Sequence, residues 1–393
     1  MTTFYNCNFF DGTTDHNTAN AWFTVDDQTG RITSKGTGTP TGDDSRVDLH
    51  DQYVMPGFFN VHTHITDDPT ALTARYGHTE TESAIIAYEN LQTLLKSGVT
   101  YIRQCGTKYD VDIALKRVQA DGKLPHTPHM ITSGRAFSMT GGHGDGPHAA
   151  YLVDSPDEMR KAVRQAFKGG AESIKVMATG GVMTPNDFME DPQLSVAEMH
   201  VAVEEAHHKR RIVAAHAEGN PGIQNAIDAG VDSIEHGFYV NEQEAHQMVA
   251  QDTYLTPTLV AEWAVPHYGT GKLPDWEVKK AADALGDTYV NLAKAFQIGV
   301  KFTCGTDAGT PFNGFDQTPH EFEMLTKIGM TPAQAYQCSS INSAKLLGVA
   351  DDYGTLEVGK FADFQVLKAD PVADVHAVVQ ADKQVYVGGH REF

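Results

Sequence analysis

Six residues able to bind and activate small molecules recur at one kind of position in this sequence. His62 and His64 close the apolar run Met55-Pro56-Gly57-Phe58-Phe59-Asn60-Val61. Side chains two apart on a strand share a face, so both imidazoles point one way and Thr63 the other. Two imidazoles on one face can grip a single metal ion. Lys175 lies inside Ser173-Ile174-Lys175-Val176-Met177, and His216 closes Val213-Ala214-Ala215. His236 follows Ser233-Ile234-Glu235, and Asp307 follows Cys304-Gly305-Thr306. Each has a plainer explanation when taken alone: a stray histidine, or an aspartate in a turn. Together, four imidazoles and a carboxylate are a donor set that suits a divalent ion. Lys175 is the sharpest of the six. Burial in an apolar strand favours the neutral amine. A neutral amine can take up carbon dioxide as a carbamate, and the resulting anion can bridge two metal ions. The competing explanation pairs Lys175 with a buried acid such as Glu235. Against it, an ammonium group would repel metals held by its neighbours.

The elements that must position these residues alternate between short apolar runs and helical patterns. Eight runs read as strands: Val54–His62, Val99–Gln104, His129–Ser133, Ser173–Met177, Ile212–His216, Ser233–His236, Tyr254–Thr258 and Lys301–Thr306. Helical patterns lie between them. Ser83–Ser97 stops at Gly98, and Ser155 with Glu158, then Ser195 with Glu198, read as capping boxes that open two further helices. Alternating βα units predict an α/β fold, a (β/α)8 TIM barrel over residues 55–349, with functional side chains at the C-terminal ends of its strands. Residues 1–54 and 350–393 read as short strands and turns. Among them are Phe4–Phe10, Ala21–Val25, Arg31–Ser34, a hairpin over Gly354–Asp363, Phe364–Leu367 and Lys383–Val387. Strands left single at each terminus would expose their edges, so the two ends are expected to form one small β-sandwich domain.

With these residues in view, the chain resembles the amidohydrolase superfamily, in its imidazolonepropionase-like, prolidase-type branch with two metals and a carbamylated lysine. Besides the strand-end residues, the likeness rests on Ile174-Lys175-Val176-Met177-Ala178-Thr179-Gly180-Gly181-Val182, His216-Ala217-Glu218-Gly219, Glu235-His236-Gly237 and Gly359-Lys360-x-Ala362-Asp363. The resemblance implies that His62, His64 and Asp307 hold one metal, that His216 and His236 hold the second, and that carbamylated Lys175 bridges them. It implies zinc, with manganese or cobalt not excluded. A hydroxide between the metals would attack an amide beside a free carboxylate, in a dipeptide (Xaa-Pro or Xaa-Arg/Lys) or an N-acyl amino acid. Asp307 would carry the proton to the leaving amine. In the glycine-rich loop Met139–Gly146, His143 is expected to bind the substrate carbonyl, while Tyr239 and Arg135 are candidates for the carboxylate. Glu218 lies two residues after His216, a spacing that does not support deamination. Hydrolysis of a cyclic amide or lactone, and a non-catalytic metal-binding role on the same fold, stand as alternatives.

A net charge of −21 repels nucleic acid and anionic membrane surfaces and leaves a small-molecule substrate as the expected partner. Cys7, Cys105, Cys304 and Cys338 have no metal-type spacing and suit reduced thiols in a cytoplasmic protein. No signal peptide or membrane-length apolar run is read. Assembly into a homo-oligomer is left open.

Overall fold

A computed structural model describes residues 1–42, 44–72 and 77–393. Four strands come first: β1 (Thr2–Phe9), β2 (Thr18–Asp26), β3 (Arg31–Thr37) and β4 (Ser45–Pro56). The expected run Val54–His62 is two strands. β4 ends at Pro56, and β5 (Phe58–Thr63) begins after Gly57. The chain changes sheets there, with the Gly57 amide bonded to Asp363 and the Phe58 amide to Gly98. A Cβ on Gly57 would lie 2.3 Å from the Thr100 hydroxyl, so only glycine fits this crossing.

The βα rhythm follows. α1 (Glu80–Lys96) leads to β6 (Val99–Gln104), α2 (Val111–Ala120), β7 (His129–Ile131), β8 (Ala136–Ser138), β9 (Ala150–Leu152) and α3 (Pro156–Gly169). Then come β10 (Ser173–Met177), α4 (Val196–His207), β11 (Ile212–Ala217), α5 (Gly222–Ala229), β12 (Ser233–His236) and α6 (Glu242–Gln251). β13 (Tyr254–Thr256), α7 (Leu259–Tyr268), α8 (Asp275–Ile298), β14 (Lys301–Phe302) and α9 (Thr318–Lys327) complete this part. α1 starts three residues ahead of expectation because Thr79 and Glu82 form a capping box. At α3, Ser155 accepts from the Glu158 amide, but the Glu158 side chain turns to the Asp154 amide instead of closing the box.

The fold is α/β with parallel sheets. β5, β6 and β7 form one, and the order β14-β13-β12-β11-β10-β8-β9 forms the other. Backbone bonds cross both gaps between them. The Glu172 and Ser173 amides donate to Thr132, and the Val61 amide donates to Cys304. Helices cover the strands, and one large apolar cluster joins the two layers.

β15 (Phe364–Leu367), β16 (Gln384–Val387) and β17 (His390–Arg391) return to the first strands. Both ends of the chain enter one seven-stranded sheet, β17-β16-β15-β4-β1-β2-β3, joined where β15 runs antiparallel to β4. They therefore meet edge to edge, and the expected second layer of a sandwich is not evident in the strand pairing. Phe4, Phe23 and Phe364 pack with ring centroids 5.1 Å apart and seed a separate apolar cluster. The expected hairpin over Gly354–Asp363 is instead a turn-rich segment. Its Gly359, Lys360 and Ala362 spend their backbone bonds on Gly30 and Ile32 of the β2–β3 hairpin.

One helix start bears on function. The amides of Leu259 and Val260 open α7, and both donate to the buried Glu321 carboxyl at 2.9 Å. This fixes Thr258 just before them. Burial pushes the Glu321 carboxyl up to about 8, partly opposed by those two amides. The folded chain therefore holds a proton that the unfolded chain, with a carboxyl near 4.5, releases. That stabilisation is complete below about pH 4.5 and is lost as pH rises through about 8. Glu321→Gln should flatten this loss, removing roughly 2–4 kcal/mol of pH dependence. Melting curves of both proteins from pH 5 to 8 check it, and parallel curves would refute it.

Candidate metal centre

The strand ends bring His62, His64, Lys175, His216, His236 and Asp307 to one pocket. The Asp307 Oδ1 lies 2.9 Å from His64 Nε2 and 3.2 Å from His62 Nε2, and Lys175 Nζ lies 3.4 Å from His62 Nε2. The imidazoles form a contact series, His64–His62–His236–His216–His143, with successive centroids 5.3, 5.0, 4.6 and 4.3 Å apart. The pocket they line encloses about 1040 Å³, counted to its open mouth. That is ample room for a small organic substrate.

Strand alternation explains part of this arrangement, and backbone strain explains the rest. In register, His216 on β11 sits beside Glu235 on β12, so both side chains share a face. Regular alternation would then turn His236 away. Instead His236 has φ 72°, and its ring still reaches the pocket. Asp307 has φ 58° and Thr258 has φ 46°. Left-handed backbone is unusual in residues with a Cβ, above all in β-branched threonine, and clusters at functional sites.

Each imidazole has one nitrogen tied down. His62 Nδ1 donates to Glu235 Oε2 at 2.7 Å, and His64 Nδ1 donates to the Gly106 carbonyl at 2.9 Å. His236 Nδ1 donates to the Thr258 hydroxyl at 2.7 Å, and His216 Nε2 donates to the Gly180 carbonyl at 3.0 Å. Every ring therefore offers its other nitrogen, as in protein metal sites, where an acceptor fixes tautomer and aim. Two donor groups converge closely enough to hold an ion: His62, His64 and Asp307, and His216, Glu218 and His236. A third group, His62, Cys105 and Glu235, has its carboxylate already engaged. The donors thus fit divalent ions.

The electrostatics agree. Burial pushes His216 and His236 well below 6.5, and neighbouring histidines add to it, so both are neutral. Burial opposes ionisation of Asp307, yet His62 and His64 overcome it and hold the carboxylate well below 3.8. Burial also disfavours a charged His62, but Cys105 and Asp307 outweigh it and raise this ring to about 10. An ion must displace that proton to bind.

Glu235 is the buried brace of the group. It takes Arg103 Nη2 at 2.7 Å as well as His62, and Arg103 Nε donates to the Val61 carbonyl at 2.6 Å. Glu235 thus bonds Arg103 and His62, and Lys175 adds to the field that keeps it ionised.

His143 lines the pocket, stacked on His216. Its Nδ1 donates to Asp187 Oδ2 at 2.7 Å, and Gln193 holds its amide at 2.8 Å. A Cβ on Gly181 would come within 2.5 Å of the His143 ring, so this glycine makes room for it. Lys280 fastens the intervening loop by donating to the carbonyls of Gly181, Thr184 and Asp187. The other two expected substrate contacts are not among the lining residues. Arg135 pairs with Asp110 at 3.2 Å and stacks on the Tyr151 ring. Of Phe238 and Tyr239, it is Phe238 that lines the pocket.

Several lining residues escaped the sequence reading. Lys108 is buried, paired with Asp67 at 2.8 Å, and followed by Tyr109 and Asp110 with φ of 60° and 57°. Glu218 and Glu262 are buried, and one carboxyl oxygen on each has no hydrogen-bond partner. Only Glu218 carried a signal, its place two residues after His216.

Parallel strands that deliver histidines and a carboxylate to one pocket define a metal-dependent hydrolase acting on amide C–N bonds. The amidohydrolase family model matches residues 53–391, and the chain belongs to that family. It is similar to ochratoxinase of Aspergillus niger, at 30% identity over 362 residues, covering 84% of this chain and 73% of that protein. The solved structure of a Xaa-Pro dipeptidase with bound methionine matches with a TM-score of 0.91 at 30% identity, over 99% of both chains. Imidazolonepropionase of Pseudomonas putida is 21% identical over 389 residues, 89% of this chain and 88% of that one. No helix among the described residues is long and apolar enough to cross a membrane.

Arg103→Met leaves Glu235 charged and unpaired in the interior. It should cost roughly 3–5 kcal/mol of stability and weaken divalent-ion affinity about 10- to 100-fold through His62. Chemical denaturation and chelator competition measure the two effects, and a variant equal to the parent in both would remove Glu235 as the brace.

Proposed function

We propose that this protein is a binuclear metallohydrolase that cleaves an amide bond beside a free carboxylate, in a dipeptide or an N-acyl amino acid. Residues 55–349 would form a (β/α)8 barrel, supported by the backbone bonds across both sheet gaps. Residues 1–54 and 350–393 would form the accompanying β domain. His62, His64 and Asp307 would hold one ion, His216 and His236 would hold the other, and Lys175 would serve both as a carbamate. Zinc suits this donor set best. When bound, two such ions supply a water of lowered pKa and a Lewis acid for the scissile carbonyl.

The chain's own residues do the rest. Asp307, ionised in the buried site, accepts the proton released by the attacking water and returns it to the leaving amine. His143 faces the carbonyl oxygen. Its Nδ1 is held by Asp187, which leaves Nε2 for the substrate. Burial of the centre strengthens each of these contacts. Among the described residues, Lys108 is the one lysine or arginine besides Lys175 that lines the pocket, and it meets the substrate carboxylate. The relatives support the bond type, since an ochratoxinase and a Xaa-Pro dipeptidase share most of the chain's length.

The observation that carries the proposal is Lys175 in one pocket with four histidines and Asp307. Lys175→Ala should lose about half of the bound metal and more than 99% of activity, a loss of roughly 100-fold or more. Metal analysis and turnover of a panel of dipeptides and N-acyl amino acids test it. Full activity without metal loss would sink the mechanism. A single ion per parent chain would favour the cyclic-amide reading, for which the imidazolonepropionase likeness speaks. Lys108→Met should raise KM about 10- to 100-fold for a free-acid substrate, as loss of a charged hydrogen bond does. The matching carboxamide should show a far smaller rise, and equal rises for both would remove Lys108 from this role.

A further inference from the structure

The pocket contains an acidic corner that the proposed mechanism does not use. Glu262 sits in the first turn of α7 and is 3% exposed, and Glu218 follows β11 and is 4% exposed. Both line the same pocket as the metal-type ligands. Glu262 Oε1 and Glu218 Oε2 are buried without a hydrogen-bond partner. Buried polar atoms are nearly always satisfied, so two orphans on residues that line one cavity call for a ligand that supplies donors. Burial pushes Glu262 well above 4.5, with no cation offsetting it.

The surroundings narrow the ligand. Phe238, Val265, Val182 and Met183 line the pocket with these carboxyls and provide an apolar sleeve. Such walls accept an aliphatic stem and strengthen a charge pair at its end. Lys108, which follows β6 of the three-stranded sheet, is the positive counterpart contributed by the other sheet. Lys108 is paired there with Asp67, whereas the oxygens left without a partner in the lining belong to Glu218 and Glu262.

We propose that Glu262, with Glu218 beside it, is a specificity subsite for a nitrogen cation of the substrate, an ammonium or guanidinium group carried on an aliphatic stem. This deepens the amide-hydrolase reading and rests on it. The cation is either the free α-amino group of a dipeptide or a basic side chain, and the chemistry at the carboxyls is the same for both.

The test uses the metal-loaded full chain and two substrate pairs: a dipeptide against its N-acetyl form, and a lysine-containing dipeptide against its norleucine counterpart. The parent should prefer the cationic member of at least one pair by roughly 100-fold in kcat/KM, the scale of a desolvated charge pair. Glu262→Gln should bring that ratio close to one, and the pair that responds identifies the source of the cation. A parent without preference in either pair, or a preference that survives the substitution, overturns the proposal. Binding of n-butylammonium against n-butanol, followed by thermal shift of the parent, needs neither turnover nor a folded variant. Selective stabilisation by the ammonium supports the subsite, and equal or absent shifts overturn it. If no amide in the panel is hydrolysed, the amide-hydrolase reading fails, and the ammonium shift still decides the subsite on its own.

Discussion

The pocket depends on one buried ion group, Arg103 with Glu235 and His62. All three are at most 1% exposed. A charge so deep survives only when it is paired and its remaining hydrogen-bonding positions are filled. Arg103 meets this by reaching Glu235, the Ser233 hydroxyl and the Val61 carbonyl together. The contacts tie β6 to β12 and to β5, across the two parallel sheets. The carboxylate that neutralises Arg103 also sets the tautomer of His62 and aims its Nε2 at Asp307. Strand packing and ligand orientation thus rest on the same few atoms, and neither can relax without the other.

A second constraint follows from alternation. Glu235 and His236 are neighbours on β12, and both are used inside. A regular strand cannot point consecutive side chains to one face. The left-handed backbone at His236 resolves the conflict at a local energetic cost. Thr258, itself in that conformation, then accepts the His236 Nδ1 proton, and the Glu321 cap on α7 holds Thr258 in place. The strain is confined to strand ends, where the loops can absorb it, while the strands beneath keep ordinary pairing.

Much of this was legible in the residues themselves. Alternation exposed the shared face of His62 and His64, and the βα rhythm located eight strand segments that all carry observed strand. Where the reading failed, the cause was contact between distant segments. Nothing near Gly57 announces that Val54–Pro56 pairs with β15, some 300 residues later. Gly354–Asp363 looks like a hairpin until Gly30 and Ile32 claim its backbone bonds. Around the expected contacts Tyr239 and Arg135, the fold puts Phe238 in the pocket lining and pairs the guanidinium with Asp110. Lys108 and Glu262 sit in unremarkable local sequence, and only the folded chain brings their charges to the pocket.

Glu262 and Lys175 illustrate why buried charge is informative. Glu262, considered alone, is a burden on the fold, because burial disfavours its charged form. Arg103 and Glu235 cancel each other and need nothing further. Lys175 lies against His62, with Glu235 already bonded to Arg103 and His62, and Glu262 keeps one oxygen without a hydrogen-bond partner. Structural ion pairs close on themselves, whereas these two groups stay open toward the same cavity. Their unmet chemistry is opposite in kind. Under the proposed function the amine is met by conversion to an anion among ions, and the carboxyl by a donor arriving from outside.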